Sequence, residues 1–304
     1  MKVYKLILFL FALATYSVEG QVRLKVLGTT QDAGVPQLAC LKSCCSSLSA
    51  DRIAQLKVSA LGLIDQDKSY LMDASPDIAT QWQSLKEEMG YSVSAPDGVF
   101  LTHAHIGHYT GLMYFGREAM GASKLPVYSM PKMQYFLENN GPWNQLVALE
   151  NIVIKPIKNN EKVILSESLS ITPLLVPHRD EFSETVGYLI QGPRKSVLFI
   201  PDIDKWSKWD SDISNWIRQV DYAFLDATFF DQKELPNRDM SEIPHPFVVE
   251  SMHLFESLSK SGRNKIYFIH LNHTNPLLNE QSSAYQIVEK RGFHIAKINT
   301  TFDL

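Results

Sequence analysis

The sequence predicts an α/β fold in which two sheets lie between outer helices, in a chain of 304 residues. Three observations predict it. Apolar runs of strand length alternate with segments of helical periodicity along almost the whole chain. No internal repeat, low-complexity tract or linker divides them, and this length suits one large domain. Polar residues of the kind that carry chemistry also recur just beyond the ends of apolar strands, where a rigid sheet can hold a site.

The elements follow in order. Val22–Leu27 and Val58–Ile64 read as strands, and Tyr70–Asp73 as a short one. Pro76–Met89 has helical periodicity with proline near its first turn. Val99–Thr102 is a strand that ends in a histidine cluster, and Leu112–Met120 reads as the next helix. Ile152–Ile154, Val163–Leu165, Leu169–Val176, Val186–Ile190 and Val197–Ile200 form a strand-rich middle. Ala223–Asp226 and Ile266–Ile269 are further apolar strands, separated by a helix over Phe247–Leu258. A helix over Gln281–Lys290 and a strand over Phe293–Ile298 complete the pattern.

Hydrophobic residues make up 45% of the chain and charged residues 20%, which excludes disordered, collagen-like and coiled-coil classes. The net charge of −4 gives no reason to expect a nucleic-acid partner. Residues 1–20 read as a signal peptide. Lys2 and Lys5 precede an apolar run from Leu6 to Tyr16, too short to span a bilayer, and Ser17–Gly20 offers a small-residue exit. The expectation is a secreted or periplasmic protein cut near Gln21, with residues 21–304 as its single domain and no stable membrane anchor.

The sharpest chemical signal is Thr102-His103-Ala104-His105-Ile106-Gly107-His108, on a strand-to-helix turn. Three imidazoles within six residues can converge on one or two metal ions, and imidazole nitrogen suits zinc. Further candidates close other strands: His178 after Leu169–Val176, Asp202 after Val197–Ile200, and His270 with His273 after Ile266–Ile269. A lone histidine beyond a strand is usually structural; several at strand ends, together with the cluster, point to a metal site. Asp73 and Asp226 also end strands, where they can accept imidazole N–H bonds or simply cap turns. His245 stands where a helix begins.

This order of residues resembles the metallo-β-lactamase fold hydrolases, whose fingerprint is His-x-His-x-Asp-His followed by a distant His, a bridging Asp and a last His. His103 and His105 match the first pair, His108 the third histidine, His178 the next ligand, Asp202 the bridging carboxylate and His270 the last. The resemblance spans nearly all of residues 21–304 and implies an αββα four-layer sandwich with metal at the strand ends. Leu27-Gly28-Thr29, Asp32-Ala33-Gly34-Val35-Pro36-Gln37, the Cys40/Cys44/Cys45 cluster, Asp73-Ala74-Ser75-Pro76-Asp77 and His270 to Pro276 are similar to one branch. That branch contains pyrroloquinoline quinone biosynthesis protein B and the cyclic phosphodiesterase of phosphonate breakdown. The full histidine set makes this chain more similar to a working metal hydrolase than to the quinone-pathway member.

One position departs from the fingerprint: the family's Asp is Gly107 here. Either the second ion binds weakly, or another residue fills the gap, with His273 the best placed in sequence. If the gap stays open, a Gly107→Asp variant is expected to tighten the second ion. The three cysteines allow a disulfide after export or a structural zinc that needs a fourth ligand, and branch relatives use a cysteine-rich segment here for structural zinc. The function expected is hydrolysis of a phosphodiester or an ester such as a lactone. A zinc-bound hydroxide would attack, with Asp202 and His273 as catalytic residues and one or two Zn2+ ions, or Fe or Mn in their place. The alternatives are a biosynthetic or oxidative role like that of the quinone-pathway protein, and a metal-binding protein without turnover. No Gly-x-Ser-x-Gly elbow supports a protein nucleophile.

Overall fold

Fourteen strands pair into two seven-stranded sheets in the computed structural model, which describes residues 22–91, 93–236 and 238–304. The expected signal peptide lies outside these residues. In chain order the strands are β1 (Val22–Gly28), β2 (Ala60–Asp65), β3 (Lys68–Met72), β4 (Gly98–Phe100), β5 (Leu125–Ser129), β6 (Ile152–Pro156), β7 (Val163–Ile164), β8 (Ser170–Leu175), β9 (Val186–Gln191), β10 (Ser196–Ile200), β11 (Tyr222–Asp226), β12 (Ile266–Ile269), β13 (His294–Ile295) and β14 (Thr301–Asp303). The first sheet has the order β14-β1-β2-β3-β4-β5-β6, the second β13-β12-β11-β10-β9-β8-β7.

Both faces of each sheet are covered, so the central strands are apolar throughout rather than alternating. The two-residue period nevertheless sorts their side chains. Val197 and Phe199 of β10 point into the core between the sheets, where they join Val22, Leu24, Phe100, Tyr188 and Phe224. Leu198 and Ile200 point outward, to Val248, Met252 and Val288 of the covering helices. On the other side Leu71, Val99 and Leu101 meet Leu85, Leu112 and Met133. These three stacked cores make the αββα four-layer sandwich.

Several elements depart from the sequence expectation. The segment after the histidines is an α-turn over Ile106–Tyr109 that passes into a 3-10 helix over Thr110–Phe115, instead of a helix over Leu112–Met120. Strands β5 and β14 and the helices Pro131–Asn139, Trp143–Ala148 and Ile213–Gln219 were not anticipated. Phe293–Ile298 shortens to β13, because the chain then crosses to the first sheet, where Val26 N–H donates to the Thr300 carbonyl.

Pairing directions position the site. β3 and β4 are parallel to one another, β10, β11 and β12 likewise, and β8 runs with β10 because both are antiparallel to β9. By the same counting β1 runs with β3, through the antiparallel β2. The C-terminal ends of β1, β3, β4, β8, β10, β11 and β12 therefore meet along one edge of the sandwich.

Candidate metal centre

Two four-residue groups of donor atoms converge at that edge, and Asp202 belongs to both, as it does to a smaller group with Asp226 and His245. In each group the donor atoms lie within 4.8 Å of one another. The first unites His103, His105, His178 and Asp202. His103 Nε2 lies 2.8 Å from His105 Nδ1, His178 Nε2 lies 3.3 Å from the same atom, and Asp202 Oδ2 is 3.3 Å from His103 Nε2 and 3.2 Å from His178 Nε2. The second unites Asp32, His108, His270 and Asp202. Asp32 Oδ1 is 2.9 Å from His108 Nε2 and 3.4 Å from His270 Nε2, and the two imidazole nitrogens are 3.3 Å apart.

The rings are aimed from behind. Asp73 Oδ2 accepts from His108 Nδ1 at 2.7 Å, and its other oxygen accepts the Thr102 N–H at 2.7 Å. Asp204 Oδ1 lies 3.2 Å from His178 Nδ1, and Thr228 Oγ1 lies 2.9 Å from His270 Nδ1. An oxygen that accepts a hydrogen bond from Nδ1–H fixes the tautomer whose lone pair is on Nε2. Such lone pairs cannot satisfy one another at about 3 Å, nor can they satisfy the carboxylate oxygens Asp202 Oδ2 and Asp32 Oδ1, which face them at 2.9 to 3.3 Å. A divalent cation resolves both conflicts, so the residues present fit one or two metal ions. Asp73 and His270 both adopt left-handed backbone, at φ 70° and 67°, a strain that persists only where surrounding structure imposes it.

Electrostatics point the same way. Burial, with His108 close by, holds His103 well below the usual histidine pKa. For His178 burial acts against the charge, but Asp202 and Asp204 raise it to about 9. Burial would raise Asp32 and Asp202, yet the facing imidazoles hold both carboxyls well below the usual range. The carboxylates thus attract either protons or a metal to these nitrogens, and the two compete.

All six metal candidates named from the sequence, His103, His105, His108, His178, Asp202 and His270, come together. His273 does not join them. It stands with Cys40, Cys44 and Cys45, in a separate group within 4.8 Å, and it is Asp32 that completes the set around His108. The catalytic assignment of His273 is therefore corrected: the turn after His270 carries its ring to the cysteine loop instead. Cys40 and Cys44 sulfurs are 3.9 Å apart and all three cysteines are free thiols. Burial and the Lys42 charge lower the His273 pKa, which favours the neutral, ligating imidazole. Asp32 was missed because one aspartate in a loop carries no spacing signal; its place beyond the end of β1 was the available clue.

His245 proves to belong to the site. Its Nδ1 lies 2.9 Å from Asp226 Oδ2 and 3.2 Å from Asp202 Oδ1. Asp226 is fixed in turn by the N–H and hydroxyl of Thr228 and by the Ile203 N–H. His245 also lines a cavity of about 590 Å3 with Gln31, Gln37, Thr228, Asn272, Asp204, Arg179, Lys208 and Arg238. The Trp206–Lys208 turn contributes Lys208 to that cavity, while Trp206 is buried and donates to Ser251 Oγ.

Comparison with known proteins agrees with this architecture. A family profile described as beta-lactamase superfamily domain matches residues 68–271. The chain is 26% identical over 303 residues to coenzyme PQQ synthesis protein B of Methylorubrum extorquens strain PA1, covering 92% of this chain and 99% of the relative. The crystal structure of Zn(2+)-bound PqqB from Methylobacterium extorquens superposes with a TM-score of 0.77 at 24% identity, covering 93% of this chain and all of that one. A diphosphatase from the PhnP family superposes with a TM-score of 0.63 at 22% identity, covering 93% and 97%. The chain therefore belongs to the β-lactamase superfamily, with the metallo-β-lactamase fold, and is similar to coenzyme PQQ synthesis protein B over nearly its whole length.

Proposed function

We propose that this protein is a metal-dependent hydrolase of a small anionic ester, a phosphodiester in preference to a lactone. The observation that carries the reading is the pair of donor sets sharing Asp202, opening beside a cavity whose wall holds Arg179, Lys208 and Arg238 together with Asp204 and Glu242, Lys208 being paired with Asp204 at 2.8 Å. His103, His105, His178 and Asp202 would hold one ion and His108, His270, Asp32 and Asp202 a second. Such ions supply Lewis acidity and bring the pKa of a coordinated water to about 7.

The chain's own groups supply the rest. Arg179, Lys208 and Arg238 bind and orient an anionic substrate by charge-assisted hydrogen bonds, which a neutral lactone would not use. Asp202 reaches both sets through one oxygen, Oδ2, 3.3 Å from His103 Nε2 and 4.0 Å from His270 Nε2, while Oδ1 faces His245. His245, held through Nδ1 by Asp226, is placed at the cavity wall to pass a proton to the departing oxygen. The diphosphatase among the structural neighbours supports chemistry at phosphorus, and the zinc in PqqB supports zinc as the ion.

Cys40, Cys44, Cys45 and His273 make a Cys3His set suited to structural zinc. A leader over residues 1–20 would carry the protein out of the cytosol; a mature N-terminus near Gln21 in host material supports this, and an intact Met1 on soluble cytosolic protein opposes it.

The test is turnover of a phosphodiester, a phosphomonoester and a lactone panel by zinc-replete protein, before and after chelation. Phosphodiester hydrolysis that chelation abolishes, zinc restores and Arg179→Ala weakens through KM supports the reading. Lactone turnover alone, or tightly bound metal with no turnover of any ester, overturns it. The second outcome would favour a role like that of the PQQ synthesis relatives.

A further inference from the structure

We propose that Asp32 is the carboxylate ligand of the second metal position, and that Gly107 is glycine because Asp32 fills the space a side chain there would need. The inference rests on the two-ion reading above and adds a ligand that the family fingerprint does not contain.

The geometry is specific. A Cβ at Gly107 would lie 2.5 Å from Asp32 Cα, 2.5 Å from Asp32 Oδ1 and 3.1 Å from Asp32 Cβ. Contact with Oδ1 could be relieved by turning a side chain; contact with Cα cannot, because the backbone itself stands there. Gly107 lies in the helical turn Ile106–Tyr109 and is not among the positive-φ glycines, so conformational freedom is not why glycine is needed. The close approach of another strand end is.

That strand end is fastened. Thr30 bridges to Val58 and to Leu271, Gln31 N–H donates to the Leu271 carbonyl at 2.9 Å, and Gly34 N–H donates to the Gln31 carbonyl at 2.8 Å. Asp32 is thereby clamped to the segment that presents His270, with its side chain 12% exposed and Oδ1 between His108 Nε2 and His270 Nε2. Where the family supplies a carboxylate from the histidine motif, this chain supplies one from the loop after β1. The same occupancy overturns the sequence expectation that Gly107→Asp alone tightens the second ion: two carboxylates cannot both enter one space.

Metal equivalents are counted by elemental analysis after dialysis against buffered zinc, in the full chain, with melting temperature as the folding control. Wild type should carry both centre ions. Asp32→Asn keeps the shape and removes the charge, and should weaken one centre ion at least about tenfold while leaving the other in place. Gly107→Asp should lose the second ion and melt lower. Asp32→Gly combined with Gly107→Asp should recover the second equivalent. If wild type holds two centre ions and Asp32→Asn binds both with unchanged affinity, the role of Asp32 is refuted while the two-ion reading stands. If wild type holds fewer than two, the reading itself fails, and this inference with it. A Gly107→Asp variant with full zinc and unchanged melting refutes the steric half.

Discussion

The histidine–aspartate centre and the cysteine cluster sit close together in sequence and in space, yet they are built on different principles. At the centre, His103, His108, Asp202 and His270 are buried at the ends of paired strands, and the rings of His108, His178 and His270 are aimed by Asp73, Asp204 and Thr228. The cysteines lie on the stretch between β1 and β2, which contains only the short helices Ser43–Ser46 and Ala50–Ala54 and exposes Leu38 and Leu41 at 94% and 92%. The sandwich pre-forms the first site, whereas the second must supply its own cross-link to be rigid. The two are also joined: Asp32 and Cys40 share one segment, and His270 and His273 share the other.

If the centre is preformed and the cluster self-made, ligand removal should act differently at each. The largest effect belongs to His103→Ala. One centre ion and at least about 99% of turnover should be lost, with circular dichroism unchanged, because outer partners alone are worth 10–100-fold and a direct ligand more. Full metal content in that variant would erase the distinction. Asp73→Asn comes next: it keeps the packing but replaces the acceptor of the His108 proton, so second-ion affinity should fall about tenfold with the fold intact. Unchanged zinc affinity would show that packing alone aims the ring.

Cys45→Ser should instead appear mainly in stability. A melting temperature lower by about 5 °C corresponds to roughly 3 kcal/mol in a domain of this size. Loss of the first centre ion in this variant would mean that the regions are not separable; weakening of the second ion alone would trace the shared segment to Asp32.

The smallest effect concerns Glu234, which stands beside the joined segments. It accepts from the Phe230 N–H and from the Thr274 hydroxyl, next to His273. Burial raises its pKa from 4.5 to about 7. An acid whose folded value is raised favours folding when protonated, so this contribution is complete below pH 4.5 and is lost as pH rises through 7. Wild type should therefore lose on the order of 2 kcal/mol between pH 4.5 and 8 that Glu234→Gln does not lose. Parallel melting curves for the two proteins across that range would refute it.

The αββα fold and most of the centre were legible in residue order. Strand periodicity placed β1, β10, β11 and β12 within a residue or two, and the histidine motif announced itself because its members lie within one turn. Strand β5, with Pro126 inside it, and β14, three residues long, were too weak as patterns and are held by neighbouring strands. His245 read as a residue before a helix, because its partners Asp202 and Asp226 lie 43 and 19 residues away and only β10 and β11 bring them together.

By itself, then, the sequence determined the alternation of strands and helices and the strand ends at which chemistry gathers, since these depend on local periodicity; the choice of six ligands and the four-layer order came from the resemblance to the family fingerprint. Only the tertiary structure decided that Asp32 and not His273 stands beside His108, and that His273 joins the cysteines. That choice depends on which loop approaches Gly107 within contact distance, and an approach between residues 75 positions apart leaves no periodic trace in the chain.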